Sequence, residues 1–288
     1  MSVVIVTDST AYLPADLVAS QGIRVVPLHV VVGGKQFSEG VDITTAEVAA
    51  ALRKFTPVGT SRPSPQQFLE AYEAAAASGA DSVVSVHISS DMSGTAESAA
   101  LAASLSPITV EVVDSRSIGM AMGYAVLSAA EAARRGGDSK TVAAIASSRA
   151  KAATVIFYVD TLEHLRRGGR IGAASALLGS ALAIKPLLAL ADGRIKPIEK
   201  VRTSARALSR LEELALKAAG AAENSGVDIA VHHLGSRTRA SDLVDRLRTR
   251  VPSTATVELV ELGAVVGVHV GPGTIAVAVS PRPDGGQD

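Results

Sequence analysis

Val83-Val84-Ser85-Val86-His87-Ile88-Ser89-Ser90-Asp91-Met92-Ser93-Gly94-Thr95-Ala96-Glu97 decides how this chain is read. Residues 83–88 are an apolar run of strand length. A hydroxyl-rich loop follows, and good helix formers then run from 96 to 105. Strand, small polar loop and helix start form the repeating unit of an α/β fold. The same unit gathers backbone N–H groups and Ser/Thr hydroxyls at one point. A helix start has unpaired donors and the positive end of the dipole, so that point suits an anion. Ser93, with Gly94 and Thr95, is therefore a candidate for ligand binding. An ordinary helix cap, with Glu97 completing a capping box, explains the same spacing.

Working outward, strands and helices alternate through the first half. Strands are predicted at 3–6, 25–32, 83–88 and 108–113, and helices at 11–21, 45–55, 66–78, 95–104, 119–133 and 141–149. Lys35-Gln36-Phe37 returns as a hairpin after Gly33-Gly34, and Thr60 to Pro65 reads as a Pro-rich loop. Such alternation implies a parallel sheet covered by helices. The pattern changes after residues 149–154. There a strand at 155–159, a short helix at 162–167 and an apolar helix at 173–183 are followed by a hairpin through Asp192-Gly193. A helix at 204–222, a strand at 228–233, a helix at 236–251 and a strand at 257–262 come next. Two further strands, 265–270 and 274–279, flank Gly271-Pro272-Gly273. Hairpins mixed with crossovers predict a mixed sheet. The expected fold is α/β in two domains: an N-terminal three-layer α/β/α domain with a parallel sheet (1–152) and a C-terminal α/β domain (153–282). The end of the chain from Ser280 reads as loose, with 283–288 as a tail.

Composition narrows the function. The chain has 288 residues, enough for a sizeable core, and its formal net charge is zero. Zero net charge removes the general electrostatic case for nucleic acid, and 3% aromatic residues leave little for base stacking. There is no Cys, which excludes disulfides, thiolate metal sites and Cys nucleophiles. The first residues read as a strand and not a signal peptide. The apolar stretch 173–191 is interrupted by Lys185 and Pro186, so no spanning helix is expected. The expectation is a cytoplasmic protein without integral membrane contact.

Several other residues carry chemistry. Thr60-Ser61-Arg62-Pro63-Ser64-Pro65 is either a binding loop or a stiff connection into the next helix. His269, beside a tight turn, is able to hydrogen-bond a ligand carboxylate or to sit as an ordinary core histidine. His232 and His233 point to opposite strand faces and cannot share a metal. Arg166, Arg167 and Arg170 form a small basic cluster, and Lys200 with Arg202 another. Asp8 and Asp114 end strands where ligands of open α/β sheets gather, or they cap the helices after those strands. No Walker loop, nucleophile elbow or zinc-protease motif is present.

In order along nearly the whole chain, Thr7-Asp8-Ser9-Thr10, Thr60-Ser61-Arg62-Pro63-Ser64, Ser93-Gly94-Thr95, Asp114-Ser115, Arg166-Arg167-Gly168-Gly169-Arg170 and His269-Val270-Gly271-Pro272-Gly273 resemble the DegV family of bacterial fatty-acid-binding proteins. The resemblance implies a long-chain fatty acid buried between two α/β domains. It implies a carboxylate held by Ser93, the N–H of Gly94, the Thr60-Ser61 loop and His269. Family members of the FakB type present that carboxylate to a fatty acid kinase, which makes the acyl-phosphate used in phospholipid synthesis. Arg170 and Arg202 are then the candidates for docking the kinase. No catalytic residue, cofactor or metal is implied. The family's loop often has Gln where this chain has Arg62, which leaves that position's role open.

Physical chemistry agrees with such a ligand. Several neutral donors at a helix start hold a carboxylate without a buried Arg. A chain of about 16 carbons offers on the order of 10 kcal/mol of burial before association costs. Residues 173–183 and 184–190 are expected to line its tunnel. The competing readings are a Ser93-dependent acyl hydrolase or phosphoryl-transfer enzyme, with His269 as base, and a nucleic-acid-binding regulator using Arg166, Arg167 and Arg170.

Overall fold

The computed structural model describes residues 2–54, 56–177, 185–221 and 226–283. The first part comprises β1 (Val3–Asp8), α1 (Ala15–Ser20), β2 (Arg24–Val26), β3 (His29–Val32), β4 (Lys35–Ser38), α2 (Thr45–Arg53), β5 (Val58–Ser61), α3 (Pro65–Ala77), β6 (Ser82–His87), α4 (Thr95–Ala103), β7 (Thr109–Asp114), α5 (Met120–Arg134) and α6 (Ser139–Ala152). The second comprises β8 (Thr154–Tyr158), α7 (Glu163–Arg167), β9 (Lys185–Ala191), β10 (Arg194–Val201), α8 (Ser204–Gly220), β11 (Val227–His233), α9 (Arg237–Arg248), β12 (Thr256–Glu261), α10 (Ala264–Val270) and β13 (Ile275–Pro281).

The α/β prediction holds. A four-stranded sheet of order β2-β1-β6-β7 is parallel throughout. β6 is central and buried along its whole length, as a parallel strand covered on both faces must be. Val83 packs with Phe68, Tyr72 and Ala99 of α3 and α4 on one face. Val84 and Val86 pack with Met122, Val126 and Val142 of α5 and α6 on the other. Each fully buried side chain of this size contributes roughly 1.5–3 kcal/mol. A six-stranded mixed sheet has the order β10-β9-β8-β13-β11-β12. Its outer face packs on α8 and α9 through Leu211, Ala215 and Leu243. Its inner face turns toward the ends of the parallel strands, with Phe157 and Ala276 in one cluster and Val155 and Ala278 against Met120 of α5 in another.

Several sequence readings need correction. The strand predicted at 25–32 is two strands in two sheets, β2 in the parallel sheet and β3 in a three-stranded sheet of order β4-β3-β5. Pro27 separates them, since it has no N–H to give a ladder. Thr60 and Ser61 are not in a loop: they end β5, paired with Val30 and His29 of β3. The helix predicted from 11 starts only at Ala15, after Tyr12 takes a left-handed conformation with φ 53°. The strand predicted at 265–270 is helix α10. Its valines suggest a strand, yet the run is buried from Ala264 to Val268 and packs on Leu28 before β3, Val30 of β3 and Val48 of α2. No strand of the small sheet pairs with it, so packing overrides propensity.

Between Gly172 and Leu177 the predicted apolar helix is a 3-10 turn, and its remainder, with Ile184, lies outside the described residues. The chain end is built in through Arg282, whose guanidinium meets Asp228 at 2.6 Å.

Candidate functional site

The carboxyl ends of β1, β6 and β7 face the inner side of the mixed sheet, and a cavity lies between them. It has about 980 Å³ of empty space, part of it open to solvent. The loops after the parallel strands contribute Tyr12, Ile88, Met92 and Ile118, and the mixed sheet contributes Phe157 and Leu190. Of the predicted tunnel lining, only Leu190 is on this wall among the described residues.

One part of the wall is polar. Thr60, Ser61, Arg62, Ser93, Arg170 and His269 all line it. β5 delivers Thr60 and Ser61, the loop after β6 delivers Ser93, and the last turn of α10 delivers His269. The Thr60 hydroxyl lies 2.8 Å from His269 Nε2. His269 Nδ1 is buried without a partner among the described residues. Burial first, and the Arg170 charge second, push the imidazole down to about 4, so it is neutral at pH 7. α10 is anchored at its start by the Glu39 carboxylate, which accepts from Val265 N–H at 2.8 Å. Gly271, with φ 75°, ends it.

Ser93 does not act as a capping-box serine. Gly94 is the N-cap of α4, with no side chain capping it. The Ser93 hydroxyl meets the Thr95 hydroxyl at 2.8 Å. Glu97 pairs instead with Arg62 at 2.6 Å, and the same guanidinium donates to the Gly94 carbonyl at 3.1 Å. Arg62 thus lies across the head of α4, on the cavity wall and half exposed. A Cβ on residue 94 would collide with its guanidinium. Ser93 bonds Thr95 and His269 bonds Thr60, so the nucleophile–base pair of the hydrolase reading is not formed.

Arg170 belongs to the site. Its Nε donates to the Met92 carbonyl at 3.1 Å and its Nη1 to the Gly168 carbonyl at 2.8 Å. It lines both the cavity and a second depression, which it shares with Thr60, His269, Arg53, His164 and the Arg167–Glu163 pair. Thr60, Arg170 and His269 therefore form the partition between an apolar interior and a basic exterior. Arg202 is exposed and lines neither space.

Asp8 caps the 3-10 turn Ser9–Ala11, whereas Asp114 caps no helix: Gly119 is the N-cap of α5 and no side chain caps it. Asp8 accepts from Thr10 N–H at 3.0 Å and Ile88 N–H at 2.9 Å, and Asp114 from Arg116 N–H at 2.8 Å. Asp8 also meets His87 Nδ1 at 3.1 Å, His87 Nε2 meets Ser85 at 2.6 Å, and Tyr72 donates to Ser85 at 2.9 Å. This Asp-His-Ser series was not anticipated. It is sealed: all four residues are fully buried and none reaches the cavity. Two cavity residues were also missed, Tyr12 and His232. His232 signals itself only through strand alternation, which turns it inward and His233 outward. No group of acidic and histidine side chains positioned for a metal occurs among the described residues, and no described helix is long and apolar enough to cross a membrane.

Comparison with known proteins gives a consistent relationship. A family model described as an uncharacterised protein of the DegV family matches residues 2–282. A DegV domain-containing protein of Streptomyces coelicolor is 54% identical over 280 residues, covering 97% of this chain and 99% of that one. Another from Mycobacterium tuberculosis is 39% identical, covering 97% of each. A solved DegV family protein from Thermus thermophilus, described by its fatty acid binding, superposes with a TM-score of 0.88 at 36% identity, covering 98% of this chain and 100% of that one. DegV from Bacillus subtilis, described as a fatty acid binding protein, superposes with a TM-score of 0.89 at 32% identity and the same coverage. The chain is a member of the DegV family.

Proposed function

We propose that this chain is a non-catalytic carrier. It binds a long-chain fatty acid between its N-terminal and C-terminal units, divided between α6 and β8 near residue 152, and presents the carboxylate to a fatty acid kinase. Thr60, Ser61, Ser93, the Gly94 N–H and His269 hold the carboxylate, and the apolar cavity takes the chain. The observation that carries this reading is the partition: Thr60, Arg170 and His269 border both the apolar cavity and the outer basic depression. A carboxylate there is hydrogen-bonded on the inside and reachable from the outside. The fatty acids described for the Thermus and Bacillus relatives support the ligand class.

In this reading the kinase docks on the basic side, with Arg170 and Arg202 as contacts. A carboxylate oxygen attacks the terminal phosphorus of the kinase's nucleotide, the nucleoside diphosphate leaves, and the acyl-phosphate enters phospholipid synthesis. The carrier works in the cytoplasm and supplies position, not chemistry. The test is denaturing mass spectrometry of an organic extract of the purified protein, followed by titration of delipidated protein with palmitate. Near-stoichiometric fatty acid, or binding of added palmitate, is expected. An empty extract together with no binding overturns the reading.

A further inference from the structure

His232 is a polar residue in an apolar wall. Register places it in one row with Ala276 of β13 and Phe157 of β8. Residues in register on neighbouring strands share a face, and all three line the cavity. His232 is 3% exposed. Its Nε2 accepts from Met120 N–H at 3.1 Å, at the first residue of α5. Burial pushes the imidazole down to about 4, so it is neutral at pH 7. A neutral imidazole that accepts at Nε2 carries its proton on Nδ1. That leaves one N–H donor with no acceptor among the described residues and, unlike His269 Nδ1, not sealed from the cavity that His232 lines.

The ring is held, not loose. Gly119, with φ 64°, turns the backbone so that Met120 N–H reaches it, and a Cβ on residue 119 would approach Nε2 to 3.1 Å. A tunnel for a plain hydrocarbon gains nothing from this group, because a donor covered by an acyl chain and left unpaired carries its full desolvation cost. Leucine and phenylalanine would fill the same space without that cost.

We propose that His232 is a second polar subsite, where its Nδ1–H donates to an oxygen carried on the acyl chain, so that the preferred ligand is a hydroxy or oxo long-chain fatty acid. The inference rests on the fatty-acid reading above and sharpens it.

The test titrates delipidated protein with stearate, oleate and a set of hydroxystearates whose hydroxyl moves from mid-chain to the methyl end. One hydroxyl position is expected to bind roughly two- to tenfold more tightly than stearate, the yield of one net hydrogen bond. His232→Leu should erase that preference while stearate still binds, and His232→Asn, which keeps an N–H near Nδ1, should retain part of it. Because the readout is a ratio between ligands, a general loss of stability does not imitate it. Should His232→Leu not fold, the ratio in His232→Asn decides, and an undiminished preference there overturns the subsite. No preference at any position, or one that survives His232→Leu, overturns the subsite while stearate binding keeps the carrier reading intact. Failure of every acid to bind overturns both.

Discussion

The Thr60 hydroxyl and His269 Nε2, 2.8 Å apart, join residues separated by 209 positions in the chain. One sits at the end of an edge strand and the other in the last turn of a buried helix. The contact closes the polar end of the cavity, and it pre-sets both groups for an anion. Thr60→Val removes the hydroxyl at nearly constant volume. Fatty-acid affinity should fall by about 1.5–3 kcal/mol, the usual worth of a hydrogen bond to a charged group, with a smaller change in Tm. Calorimetric titration with palmitate measures the first and thermal unfolding the second. Unchanged affinity in both Thr60→Val and Ser93→Ala would remove the carboxylate from this end.

Gly168 is placed to control His269. A Cβ on residue 168 would collide with His269 Nδ1, while Gly220 has open space around its Cα. Gly168→Ala should therefore push the ring from Thr60 and cost fatty-acid affinity about as much as Thr60→Val does. Gly220→Ala should leave affinity alone. Equal affinities in the two variants would mean that the ring moves aside freely.

How far the site was legible depends on whether its signal was local. The run from Val83 to Glu97 gave strand, loop and helix in the right order, because parallel strand, small polar loop and helix start are each set by neighbours in sequence. Ser93 was visible for that reason. α10 was not, since six of its seven residues are valine, glycine or alanine, packed on α2 and the small sheet from more than 200 positions away. Pro27 announced a break that the valines on either side obscured. His232 could be assigned a face but not a cavity, because the N-terminus of α5 that meets it comes from 112 residues earlier. Arg62 gave no sequence cue that it would pair with Glu97 across the site.

Buried histidines make stability depend on pH. Burial lowers His232, His233 and His269 from the ordinary value, His232 and His269 to about 4. The unfolded chain takes up these protons near pH 6.5 and the folded chain resists them. Stability from this source is therefore complete above pH 6.5 and is lost as pH falls toward 4. The slope should approach about 1.4 kcal/mol per pH unit for each of His232 and His269. Urea unfolding of delipidated protein from pH 7 to pH 4.5 reads it. His232→Leu should flatten the slope by about one proton, and an unchanged slope would show that this ring is protonated in the folded state.

Arg149 ties the two halves of the molecule together. It stands on α6, is 8% exposed, and pairs with Asp228 of β11 while donating to Ser128 of α5 at 2.6 Å and to Ser280 of β13 at 3.1 Å. Arg282 pairs with the same Asp228 from the chain end at 2.6 Å. Removing one partner of a buried pair leaves an uncompensated charge, which typically costs 3–5 kcal/mol. Arg282 remains to neutralise Asp228, so Arg149→Met should fall at the low end, about 3 kcal/mol, and Arg149→Met with Arg282→Met should cost more than the sum of the two. Replacing all three charges, with Asp228→Leu added, should recover much of the loss, because an apolar core of similar volume carries no desolvation cost. Denaturant midpoints of the single, double and triple variants measure this. A triple variant no more stable than the double would show that the pair is needed for the packing of α6 on the mixed sheet and not merely for its own neutralisation.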